Sequence, residues 1–165
     1  MNKKIAIIGG GNLGSAIAEG IISSGFAQAE NIFITKRNIE TLSSLKEKGV
    51  NVLSNNVQAV ENAEYVILAI KPFQIKDVVK EIQPALLKDK HVLISVVTGV
   101  WIKDLIEIVG EDFTIVRAMP NTAIAISESM TCICSHNASN EQSAFVIELF
   151  NQLGFAILFF IFLFA

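Results

Sequence analysis

Six residues near the amino terminus, Gly9-Gly10-Gly11-Asn12-Leu13-Gly14, follow an aliphatic run and precede Ser15-Ala16-Ile17-Ala18-Glu19-Gly20-Ile21-Ile22, which has helical periodicity. Glycine at 9, 11 and 14 satisfies the spacing GxGxxG. Where a strand turns into a helix over a phosphate, the three glycines act differently. Gly9 makes the tight turn, Gly11 lets backbone approach a pyrophosphate, and Gly14 lets the helix pack closely on the strand. The first helical turn has N–H groups without intrahelical acceptors and the positive end of the helix dipole, so Asn12 and Leu13 offer backbone donors to an anion. The chemistry implied is the binding of a dinucleotide.

Which dinucleotide is read at the end of the next strand, where an acidic residue would hold a ribose 2′-hydroxyl and cations with small polar groups would hold a 2′-phosphate. The segment there is Thr35-Lys36-Arg37-Asn38. It has no carboxylate, and two cations beside hydroxyl and amide donors suit a phosphate carrying about −1.5 to −2 charge. NADP(H) is therefore preferred, with NAD(H) also admitted. Asn38 can in addition cap the helix that follows.

These residues must be positioned by an alternation of short β-branched runs and amphipathic helical runs, the pattern of a parallel sheet wrapped by helices. The spacing predicts strands over 4–9, 31–35, 50–53, 65–70, 91–95 and 113–117, with a further strand over 130–134. Helices are predicted over 12–24, 39–48, 56–61, 74–87 with an interruption at Pro84, 101–109 and 140–151. The fold class is α/β, a Rossmann-type doubly wound, mostly parallel sheet. One NAD(P)-binding domain occupies residues 1–154, and no repeat or Pro/Ser-rich linker divides it.

Four further segments lie at predicted strand ends or close the pattern: Ala69-Ile70-Lys71-Pro72, Ser95-Val96-Val97-Thr98-Gly99-Val100, Arg117-Ala118-Met119-Pro120-Asn121-Thr122 and Leu149-Phe150-Asn151-Gln152-Leu153-Gly154. With the glycine loop, in this order and spacing, the chain resembles the amino-terminal half of the pyrroline-5-carboxylate reductases from Lys4 to about Gly154. The resemblance implies that Ala69, Ile70, Lys71 and Pro72 line the cofactor, with Thr98 beside it. It implies that Asn56 contacts the adenosine ribose and that Met119, Pro120 and Asn121 border the nicotinamide. It also implies a reaction, NADPH-dependent reduction of the C=N bond of 1-pyrroline-5-carboxylate to L-proline, the last step of proline biosynthesis, in the cytoplasm. No metal is implied, and no catalytic residue is assigned. Full-length relatives are homo-oligomers that carry a helical second domain with a substrate loop, so the expectation for this chain is cofactor binding with impaired turnover.

The composition limits other functions. Thirteen Lys and Arg against sixteen Asp and Glu give a net charge of −3, and no basic run exceeds Lys36-Arg37, which argues against nucleic acid as a partner. Cys132 and Cys134, one residue apart, suit neither a disulfide framework nor a zinc site and read as filling residues in a reducing compartment. His91 and His136 are expected at the surface, neither as a general base, and Trp101 as a packing residue. Residues 155–165 contain no polar side chain. Eleven residues are too few to cross a bilayer, which takes about 20 in a helix, so no membrane is expected. This apolar tail is read as the product of a truncation or frameshift, against the rival that it docks on a partner. Two alternatives to the reductase are carried: a non-catalytic NADP-binding module, and another imine or 2-oxo acid reductase of the same superfamily.

Overall fold

The computed structural model describes residues 3–159. Strand β1 (Ile5–Ile8) is buried along its whole length, between β2 (Ile32–Thr35) and β4 (Tyr65–Leu68), to both of which it is parallel. Its side chains alternate between two cores. Ile5 and Ile7 join one cluster and Ala6 and Ile8 the other, so an aliphatic run without polar interruption is what a strand covered on both faces requires. Each fully buried isoleucine contributes about 1.5–3 kcal/mol of apolar transfer.

The sheet has eight strands in the order β3-β2-β1-β4-β5-β6-β7-β8. The set is completed by β3 (Asn51–Leu53), β5 (Val92–Ser95), β6 (Thr114–Met119), β7 (Ser129–His136) and β8 (Gly154–Leu158). Neighbours from β3 to β6 are parallel; β7 is antiparallel to β6 and β8 parallel to β7. Helices α1 (Asn12–Ser23), α2 (Ser43–Glu47) and α6 (Asn140–Asn151) supply one core through Ile17, Ile21, Leu45, Val146 and Phe150. Helices α3 (Asn56–Glu61), α4 (Ile75–Ile82) and α5 (Ile102–Val109) supply the other through Val60, Val79, Ile82 and Leu105. The expected doubly wound α/β fold is the one formed, and its strand order reverses between β1 and β4.

Local chemistry explains the boundaries. The Asn55 side chain accepts from the Gln58 N–H at 3.0 Å to start α3, and Ser139 with Gln142 forms a reciprocal cap at the start of α6. Pro84, which has no N–H, confines the chain after α4 to a 3₁₀ turn, Gln83–Ala85. The single helix expected over 39–48 is instead a 3₁₀ turn, Ile39–Leu42, followed by α2. The break falls at Leu42, which leaves helical geometry to pack beneath Gly10. Short elements that the sequence pattern does not predict include the 3₁₀ turns Ala29–Asn31, Pro72–Gln74 and Thr122–Ile126 and strand β8. The sheet thus continues past Gly154, the expected end of the domain; what was expected of residues 160–165 lies outside the described residues. Across β7 and β8 the register sets Met130 against Phe155 and Cys132 against Ile157, and these four side chains are exposed on one face.

His91 corrects a surface expectation. It is 1% exposed, accepts the Leu87 N–H on Nδ1 at 2.8 Å and faces the Val60 carbonyl through Nε2 at 3.2 Å. A ring nitrogen that accepts an N–H is unprotonated, so the ring is neutral with its proton on Nε2. Burial, helped by the Lys90 charge, pushes its pKa below the ordinary 6.5. As the pH falls through 6.5 the unfolded chain takes up a proton that the folded ring refuses, so stability is full above pH 6.5 and declines below it. We expect the urea midpoint to fall between pH 7.5 and 5.5, and His91→Gln to remove most of that dependence; an unchanged slope in the variant would show that other groups cause it.

Candidate dinucleotide-binding site

Because β1 to β6 run parallel, their carboxyl ends share one edge of the sheet, and every residue expected at the cofactor follows one of those ends. The glycine loop leaves β1, Thr35-Lys36-Arg37 ends and leaves β2, and Asn56 follows β3. Ala69 to Pro72 leave β4, Thr98 follows β5, and Met119-Pro120-Asn121 end and leave β6. The β1/β4 reversal opens the crevice where sheets of this kind bind ligands.

The glycine loop is packed from two sides. Gly9 adopts φ +109°, and a Cβ there would lie 2.5 Å from the Ala69 carbonyl oxygen and 2.9 Å from the Ile70 side chain. A Cβ on Gly14 would strike the carbonyl of Gly9, so only glycine lets α1 approach β1 this closely. Gly11 is different. Its φ is −80°, which any residue adopts, and a Cβ there would meet no atom within 4 Å. The protein's own packing does not demand glycine at 11; a ligand lying against the backbone would. No side chain caps α1 and no acidic residue lies in its first turn, leaving its amino end uncompensated.

Thr35 ties this loop to its neighbours. Its side chain is almost fully buried, its Oγ1 receives the Gly9 N–H at 3.3 Å, and its carbonyl receives the Gly10 N–H at 2.6 Å. The same hydroxyl donates to Asn56 Oδ1 at 2.7 Å. Asn56 in turn donates through Nδ2 to both carboxylate oxygens of Glu81, at 3.2 and 3.1 Å. Glu81 is not among the residues expected at the site: it is a charged residue on an exposed stretch of α4, with nothing in its local pattern to single it out. Lys36 is half-buried with its N–H bonded to the Leu53 carbonyl, and Arg37 is exposed. Among the described residues neither forms an ion pair. Asn38 caps the following turn, its Oδ1 accepting from Glu40.

The other half of the edge is held differently. Arg117 donates from Nε to the Val100 carbonyl at 2.8 Å and lies 4.7 Å over the Trp101 ring, fastening the turn that displays Thr98. Beside it, burial raises the Cys134 thiol pKa, opposed by the Arg117 charge. Asn121 takes the Ala123 N–H on its side chain and gives its own N–H to Ser129 Oγ, capping the 3₁₀ turn after β6. Thr98 and Met119 to Asn121 thus share the edge with the glycine loop without bonding to it, whereas Gly9, Thr35 and Asn56 form one connected unit.

Comparison with known proteins finds relatives along most of the chain. The chain is 38% identical to pyrroline-5-carboxylate reductase 1 of Dictyostelium discoideum over 93% of its own length and 30% of the relative's, and 42% identical to reductase 2 of that organism over 81% and 46%. The structure superposes with a TM-score of 0.91 on a pyrroline-5-carboxylate reductase from Coxiella burnetii, 31% identical, covering 96% of this chain and 59% of that one. With a TM-score of 0.83 it superposes on the Plasmodium falciparum pyrroline carboxylate reductase with NADP bound, 29% identical, covering 96% and 58%. The chain thus spans about a third to three-fifths of these relatives' lengths. The family model described as NADP oxidoreductase, coenzyme F420-dependent, matches residues 4–99, the stretch that runs from β1 through the glycine loop to the turn after β5, and the chain belongs to that family.

Proposed function

We propose that this chain binds NADP(H) at the carboxyl edge of its sheet and is the dinucleotide-binding part of a pyrroline-5-carboxylate reductase. The observation that carries the reading is Gly11: a glycine required by neither backbone angle nor packing, standing at the N-cap of α1, whose amino end is uncompensated. The bound NADP relative and the 38–42% identity to named reductases support it.

The residues divide the work by position. The N–H groups of Asn12, Leu13 and Gly14 point a positive partial charge at the pyrophosphate, and Gly9 holds the turn that aims them. Lys36 and Arg37, which form no ion pair among the described residues, neutralise a 2′-phosphate with Thr35 buried behind them, which favours NADPH over NADH. Asn56 meets the adenosine ribose, Ala69 to Pro72 line the middle of the crevice, and Thr98 with Met119, Pro120 and Asn121 border the nicotinamide end. When bound, the cofactor supplies a hydride to the C=N carbon of 1-pyrroline-5-carboxylate, and the ring nitrogen takes a proton to give L-proline. Holding the reactants in register is what the protein adds. The free thiols Cys132 and Cys134 suit a reducing, cytoplasmic compartment. A second reading, a module that binds NADP and joins another protein, is favoured by the exposed Met130, Phe155 and Ile157.

Gly11→Ala should leave thermal unfolding unchanged and weaken NADPH by ~10-fold or more in a fluorescence titration, since its Cβ occupies only ligand space. Gly14→Ala should instead lower stability by about 1–3 kcal/mol through overpacking against Gly9. Equal NADPH affinity in Gly11→Ala and the parent would refute the reading. Replacing Lys36 and Arg37 together by Ala should reduce the ratio of NADPH to NADH affinity about tenfold; a ratio that stays the same would remove both residues from the 2′-phosphate. Joined to the remaining length of a relative, the chain should oxidise NADPH when 1-pyrroline-5-carboxylate is added, and binding without oxidation would favour the second reading.

A further inference from the structure

We propose that Glu81 is a positioning residue of the adenosine half of the site, acting through Asn56 and Thr35 on the first glycine of the loop. The proposal rests on the reading that this edge binds a dinucleotide.

A side-chain amide can be turned over, exchanging its oxygen and nitrogen, and its surroundings decide which way it lies. Here Nδ2 of Asn56 faces both oxygens of Glu81 while Oδ1 faces the Thr35 hydroxyl at 2.7 Å. Turned over, the amide would set its oxygen against a carboxylate. The charge on Glu81 therefore selects one orientation, and that selection propagates. With Asn56 presenting an acceptor, Thr35 must spend its single hydroxyl proton there, which leaves a lone pair for the Gly9 N–H at 3.3 Å. Three successive hydrogen bonds then run in one sense from the loop to α4, ending on an ion, and bonds to ions are about twice as strong as neutral ones.

Nothing else in the surroundings claims the carboxylate: among the described residues Glu81 forms no ion pair, and both its oxygens meet the neutral amide of a residue 25 positions away. With Nδ2 engaged by both carboxylate oxygens, Asn56 keeps the second lone pair of Oδ1, held in a known sense for a ribose hydroxyl. Glu81 thus prepares the site before ligand arrives and need not touch the ligand.

The test is a double-mutant cycle in the 165-residue chain with Glu81→Gln, Asn56→Ala and both, titrated with NADPH and with 2′,5′-ADP, which fills only the adenosine half. Glu81→Gln should weaken both ligands by the same factor, about fivefold for one charged hydrogen-bond partner. In the Asn56→Ala background it should cost nothing further, because its route to the ligand is gone. In the free protein the Asn56 side-chain amide resonance should shift on Glu81→Gln, with thermal unfolding unchanged. The proposal falls if Glu81→Gln leaves both affinities unaltered, weakens them equally in the two backgrounds, or weakens NADPH alone. A parent chain that binds neither ligand would overturn the dinucleotide reading and this one with it, whereas parent binding with an indifferent Glu81→Gln would overturn this one alone.

Discussion

The amino end of α1 rests on β1 at a point where there is no room for one more carbon atom. Gly14 lies against the carbonyl of Gly9, and Gly9 itself lies against the backbone of Ala69 at the end of the adjoining strand. That double contact sets how the first helix leaves the sheet, and it sets the crevice, since the same three elements bound it. A strand buried on both faces supplies the rigidity beneath: Ile5, Ile7 and Ile8 are each no more than 1% exposed, so the loop is anchored to a part of the molecule that cannot yield without opening both cores.

Charge is distributed to match. The first turn of α1 has no acidic residue, so its dipole stays uncancelled, and Lys36 and Arg37 stand close in the chain to the buried Thr35. A buried hydroxyl with one donor and one acceptor partner is a fixed object, and Thr35 carries that role between the glycine loop and Asn56. The turn that displays Thr98 is organised separately, by the Arg117 guanidinium held between the Val100 carbonyl and the Trp101 ring. Each half of the edge thus has its own internal support.

On the face of the sheet that α1 covers, α6 packs across the middle strands. The Phe145 ring stacks on Tyr65 at 4.0 Å and packs against Phe26 at 5.3 Å, joining α6 to β4 and to the residues after α1. Strand β8 then extends the sheet beside β7, burying Ala156 on the inner side and leaving Phe155 and Ile157 on the outer.

Much of this was legible in the sequence, because it is written in local terms. The aliphatic runs at Ile5–Ile8, Tyr65–Leu68 and Val92–Ser95 can only be strands covered on both faces, and the GxGxxG spacing names its own turn. Helices α3 and α6 occupy the residues that the helical pattern predicts, 56–61 and 140–151. Parallel pairing then obliges every strand-end motif to face one edge, along which lie both Gly9, expected there from its spacing, and Asn121, expected there from the resemblance. What tertiary structure alone decided depends on partners far apart in the chain. His91 looked like a residue at a charged turn, yet the neighbouring backbones of Leu87 and Val60 close over it. Leu42 broke a predicted helix because it was needed under Gly10. Strand β8 was hidden by an apolar composition that has no alternation to read. Glu81 was one solvated charge among many until the packing of α4 against α3 brought its carboxylate to Asn56, since the sense of a hydrogen bond is set by which groups meet and no spacing along the chain records it.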